Sequence, residues 1–148
     1  MGAETERLIE LEPSEAARVL AQTAEPAWLD ALQRSLDRQR SRVDIDRILA
    51  VWHLSQSEMA ELFHVSRQAI GKWRSQGVPT SRIGAVTDLA AATDLLVRYL
   101  KRDRIPAVVR RPAARLGGLS LLDLVNAGRT RDLLDACHTM FRFGDAHA

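Results

Sequence analysis

An all-α fold is the expectation for this chain, and three observations carry it. Apolar residues recur at three- and four-residue spacing through most of the length, no alternating run is long enough for a convincing strand, and glycine or proline punctuates the helical stretches. With 148 residues the chain can bury a sizeable core as one domain or two small ones. The pattern divides into an N-terminal helical arm (1–42), a compact unit (43–82) and a second small helical domain (83–148).

Taken in order, Ser14 is expected to cap a short helix that runs to about Thr23. Pro26 stands where a first helical position tolerates proline, ahead of Trp28, Leu29, Leu32 and Leu36 on one face. The stretch "DRQRSR", residues 37–42, reads as a charged connection. Ile45, Ile48, Leu49 and Trp52 then mark an amphipathic helix ending near His53. Beyond Gly77 and Pro79, the residues Val86, Leu89, Leu96, Val97 and Leu100 describe a long helix. A basic segment from Arg98 to Arg115 follows, interrupted by Pro106, Pro112 and Gly117-Gly118. Ser120 and Thr130 are the expected N-caps of two closing helices separated by Gly128, with Leu133, Cys137, Met140 and Phe141 as the apolar side of the last.

The most informative stretch is "SQSEMAELFHVSRQAIGKW", residues 55–73. Ser55 followed by Glu58 is a capping box, so a helix begins there, and Met59, Leu62 and Phe63 supply its apolar face around the small Ala60. After a turn at Phe63–Val65, Ser66 can cap a second helix in which Ile70 and Trp73 point inward. Arg67, Gln68, Lys72 and Arg74 then point mainly outward. From Val65 to Arg82 there are four basic residues and no acid, so a polyanion would meet no like charge locally. This is a helix-turn-helix pattern.

Charge is unevenly distributed along the chain. Residues 1–30 carry seven acids against two bases, residues 31–82 five against nine, and residues 83–148 seven against ten, within an overall net charge of +2. An acidic front and a basic remainder suggest a polyanion partner for the middle and a separate task for the N-terminus. The same runs could also do no more than solvate helix faces.

Over residues 43–82 the motif resembles the Xre-like, phage-repressor type of helix-turn-helix. The resemblance implies Gln56 at the start of the first helix, Ala60 in the close crossing, Val65 after the turn, Ile70 in the core and Trp73 near the end. His64 stands where many members carry glycine, because the backbone there prefers positive φ. By that resemblance the second helix enters the major groove of double-stranded operator DNA. Arg67 and Gln68 are the expected readers of base edges, joined by Lys72 one turn further on. Each bidentate contact would be worth roughly 1–3 kcal/mol of discrimination. Ser55, Gln56, Ser66, Arg74 and Arg82 are expected to grip phosphates, with Gly71 leaving room for close approach.

The remainder looks like the C-terminal module of the Xre-MbcA-ParS antitoxin family, so that the combined resemblance covers about residues 43–142. The matching positions are Leu116, Gly117, Gly118, Ser120, Leu122, Asp123, Leu124, Val125, Gly128 and Leu133. The family implies a homodimeric antitoxin that binds its own operator and neutralises a RES-domain toxin that degrades NAD. It also implies that the C-terminal tail, Arg142, Phe143, Gly144, Asp145, Ala146, His147 and Ala148, approaches the toxin. The leucine clusters of this half can equally be ordinary core. The basic run at 98–115 could add phosphate contacts, face an acidic toxin, or be solvated. The first 40 residues lie outside the resemblance and could serve as an oligomerisation arm, as a cover for the DNA-binding unit, or in packing alone.

Other classes are disfavoured. Cys137 is the only cysteine and the histidines at 53, 64, 138 and 147 include no i, i+4 pair, so neither a disulfide nor a metal site is expected, and no cofactor is either. Cys137 and His138 diverge on a helix, Ser120 has no evident base, and no glycine-rich phosphate loop is present, so no enzyme is expected. The start "MGAETERLIELEP" lacks the charged and apolar regions of a secretory signal, and no apolar run approaches bilayer length. A cytoplasmic protein with no membrane partner is expected. Two other readings stay open: a stand-alone, phage-type repressor whose second half dimerises or adds DNA contacts, and an interaction adaptor that binds no DNA.

Overall fold

The computed structural model describes residues 7–145, with side chains as far as Arg142. All regular structure among them is helical, apart from a single antiparallel bridge between Ala113 and Leu119. The helices are α1 (Pro13–Thr23), α2 (Pro26–Trp52), α3 (Gln56–Phe63), α4 (Arg67–Gln76), α5 (Thr80–Tyr99), α6 (Ile105–Arg110), α7 (Leu121–Asn126) and α8 (Thr130–Asp145). Short 3-10 turns at Arg102–Arg104 and Ala114–Leu116 flank α6 and precede α7. The chain divides into two compact units, Met1–Asp37 and Arg38–Ala148.

In the first unit α1 buries no residue. Pro13 occupies its first turn and Glu12 makes no side-chain cap, so the expected Ser14 cap is not used. Proline's fixed φ and missing N–H suit that position, and they move the start one residue earlier. The large apolar side chains Ile9, Trp28 and Leu36 stay exposed.

The expected charged connection at 37–42 is instead the interior of α2. Between Pro26 and Trp52 there is no glycine or further proline, and Arg and Gln are good helix formers, so nothing in the stretch ends a helix. Ser41 is buried there. Its hydroxyl donates to the Arg38 carbonyl (2.9 Å) and accepts from the Val78 N–H (3.0 Å), which fixes the link between α4 and α5.

In the second unit one continuous apolar cluster runs from Ile45 to Phe141, across the point where the motif ends and the C-terminal half begins. α5 and α8 make the most extensive helix pair, and α3 packs on both α4 and α7. Trp52 is fully buried, and its indole N–H donates to Thr93 Oγ1 at 2.9 Å, which in turn donates to the Leu89 carbonyl at 2.7 Å. Tyr99 stacks on Phe141 with ring centroids 4.7 Å apart. Pro106 starts α6 rather than interrupting it, as a first-turn proline can. Thr130 is already inside α8, and its hydroxyl donates to Asp88 Oδ2 (3.1 Å) across to α5 rather than capping its own helix. Ser120 does cap α7, in a full capping box with Asp123.

Candidate nucleic-acid interface

The motif is built from local hydrogen bonds. Ser55 Oγ accepts from the Glu58 N–H (3.0 Å) while Glu58 Oε2 accepts from the Ser55 N–H (2.7 Å), so the capping box that starts α3 is complete. That backbone donor is the main reason the Glu58 carboxyl sits below its usual pKa range. At the other end His64 is left-handed (φ 55, ψ 42). The N–H of Val65 bonds the Ala60 carbonyl (3.0 Å) and that of His64 bonds the Glu61 carbonyl (3.2 Å). This pair of bonds is a Schellman stop, which glycine usually provides. Histidine in that conformation costs about 1–2 kcal/mol. A side-chain bond offsets it, because His64 Nε2–H donates to the Asn126 carbonyl at 2.7 Å, at the end of α7.

Ser66 Oγ then accepts from the Ala69 N–H at 3.1 Å and starts α4. Ile70 and Trp73 are buried beneath this helix, with Trp73 edge-on to Phe63 at a centroid separation of 5.6 Å. Burial of that face turns Arg67, Gln68 and Lys72 outward. None of the three side chains has a hydrogen bond or ion pair with another described residue. Gly77 closes α4 at φ 98, and a Cβ there would lie 2.9 Å from the Arg38 Cβ, so both conformation and space require glycine. Gly71 is under less pressure, since its nearest neighbour for an added Cβ would be Gln56 Oε1 at 4.0 Å.

The residues expected to grip phosphate fall into two groups. Ser55, Gln56 and Ser66 cluster at the starts of α3 and α4, with both serine hydroxyls occupied as caps. Arg74 and Arg82 are engaged within the fold. Arg74 Nε donates to Asp46 Oδ1 at 2.6 Å, and its carbonyl accepts from Arg42 Nε at 3.1 Å. The half-buried Arg82 donates to the Phe63 carbonyl at 3.3 Å, at the turn itself. A guanidinium carries five N–H donors, so either arginine keeps others for a ligand.

Three anchoring residues escape a sequence reading. Asp46 positions Arg74, and Asn126 receives His64. Arg110 donates to the carbonyls of Trp52 and His53, at 2.9 Å each, and so ties α6 to the end of α2 just before the motif. No local pattern marks these partners, which lie 28 to 62 residues away in sequence.

In the C-terminal half a cleft of about 300 Å³ lies between the 3-10 turn before α7 and the helix α8. Leu116, Ala136 and Met140 line it together with Arg115, Asp132 and Asp135. Of the tail expected to meet a toxin, Arg142 is exposed. Of Phe143, Gly144 and Asp145 only the helical backbone is described, and Ala146, His147 and Ala148 lie outside the described residues. Among the described residues no group of three or more His, Cys, Asp or Glu side chains could hold a metal, and no helix is long and apolar enough to cross a membrane. Burial pushes the Cys137 thiol up to about 12.

Comparison with solved structures places this architecture. A chain of the crystal structure of the M. tuberculosis MbcT-MbcA toxin-antitoxin complex superimposes with a TM-score of 0.56 at 22% identity, covering 67% of this chain and 91% of that one. The two share a fold. No protein-family model matches the sequence, and no curated protein is significantly similar to it.

Proposed function

We propose that this protein is a DNA-binding antitoxin that represses its own operon. In this reading α4 enters the major groove, where Arg67, Gln68 and Lys72 read base edges. Ser55, Gln56, Ser66 and the free donors of Arg74 and Arg82 hold phosphates. The C-terminal half, with the α8 cleft and the tail from Arg142 to Ala148, neutralises a RES-type toxin that degrades NAD. The protein acts as a homodimer in the cytoplasm and performs no catalysis of its own.

One observation carries the proposal. A capped helix-turn-helix whose second helix leaves an arginine, a glutamine and a lysine unpartnered is continuous, through one core, with a fold shared with a chain of a toxin-antitoxin complex.

Two experiments test it. Alanine at Arg67 and Gln68 should abolish discrimination between operator and scrambled duplexes while leaving helicity and unfolding unchanged, and intact discrimination would remove these residues as readers. Expression of the adjacent reading frame with and without this protein tests the antitoxin role. A harmless neighbour would leave a repressor without a toxin.

A further inference from the structure

Arg104 and Arg111 bracket α6, and both are exposed, with no side-chain hydrogen bond or ion pair to any other described residue. Between them Arg110 is committed to the backbone, donating to the carbonyls of Pro106, Trp52 and His53. These bonds set the last turn of α6 against the end of α2. Only Leu54 separates His53 from Ser55, the cap of α3.

We infer that Arg104 and Arg111 form an additional phosphate-binding site, which extends the DNA footprint beyond the helix-turn-helix along the backbone where α3 begins. The inference rests on the DNA-binding reading above. In helix-turn-helix docking the first helix crosses the sugar-phosphate backbone, so the start of α3 faces phosphate rather than base edges. Arg111 follows Arg110, whose guanidinium holds the carbonyls just before that start, by one Cα step of about 3.8 Å. α6 is six residues long, about 9 Å, so Arg104 and Arg111 are spaced to meet phosphates a short distance apart along the duplex.

The acidic groups nearby do not cancel these charges. The Glu58 carboxylate is turned to the Ser55 N–H, and Asp103 is the one acid against seven basic residues in the stretch 98–115.

The test measures affinity for a labelled mixed-sequence duplex of about 40 base pairs by fluorescence polarisation, at salt from about 50 to 200 mM. Each phosphate contact contributes about 0.9 to the slope of log affinity against log salt, so R104Q/R111Q should lower that slope by about 1.8. R104K/R111K should restore most of it. Binding with an unaltered slope in R104Q/R111Q overturns this site and leaves the DNA-binding reading standing. Absence of binding by the unaltered protein to any duplex overturns both. An intact slope with lost capture of a co-expressed toxin would assign the two arginines to a protein partner instead.

Discussion

Replacing Thr93 by valine isolates the buried polar link between α2 and α5. Trp52 and Thr93 are both fully buried, and among the described residues no buried side-chain nitrogen or oxygen lacks a partner. Valine keeps the shape and branching of threonine, so no cavity opens and helix propensity hardly changes. The indole N–H loses its only acceptor, at a cost of about 1–3 kcal/mol for an orphaned buried donor. The Leu89 carbonyl loses only a second bond, since the helix already supplies its first. With a net loss of about 2 kcal/mol and a urea dependence of about 2 kcal/mol per molar, the unfolding midpoint should fall by about 1 M. In a Trp52→Phe background, which has no indole donor, the same valine should be close to neutral, giving a coupling of about 1–2 kcal/mol in the double-mutant cycle. Urea unfolding followed by circular dichroism supplies all four stabilities. An equal cost of Thr93→Val in both backgrounds would refute the reasoning, because the penalty would then not come from the indole.

Two glycines should respond oppositely to alanine. Gly77→Ala meets a positive φ and the Arg38 side chain and should cost about 1–3 kcal/mol, whereas Gly84→Ala, inside α5 with nothing within 4 Å, should gain about 0.5–1 kcal/mol, both read from thermal unfolding. The carboxyls of Glu58 and Asp123 are held below the usual range, chiefly by the backbone N–H of Ser55 and of Ser120. Their stabilisation is therefore present above the pKa of an unfolded carboxylate and lost as pH falls through the lower folded value, so E58Q/D123N should be less stable than the parent at neutral pH and converge with it in acid. Cys137 is buried with its thiol raised to about 12, so it should resist iodoacetamide at pH near 8 until the chain is unfolded in urea.

Short-range interactions are what the order of residues specifies without help from distant contacts. Ser55 with Glu58 and Ser66 with Ala69 act within one turn, and the spacing of Met59, Phe63, Ile70 and Trp73 records which face is buried. The two capped helices α3 and α4 and the outward set Arg67, Gln68 and Lys72 are therefore legible in the amino-acid sequence alone. So is the left-handed turn at His64, from the glycine that the resembling family carries there. Local signals also mislead where two of them compete. The charge of residues 37–42 suggests a connection, yet charge does not break a helix. Thr130 has the chemistry of a cap, but Asp88 offers its hydroxyl a partner across the core.

Which polar groups remain available is settled by packing in three dimensions. Asp46 takes Arg74, the Phe63 carbonyl takes Arg82, Asn126 takes His64, and the end of α2 takes Arg110, each across 19 or more residues. No periodicity encodes such pairs, because they exist only after the apolar faces have packed and brought distant backbone and side chains into reach. The division between arginines that brace the fold and arginines whose side chains stay unengaged is thus a property of the folded chain, not of any local motif.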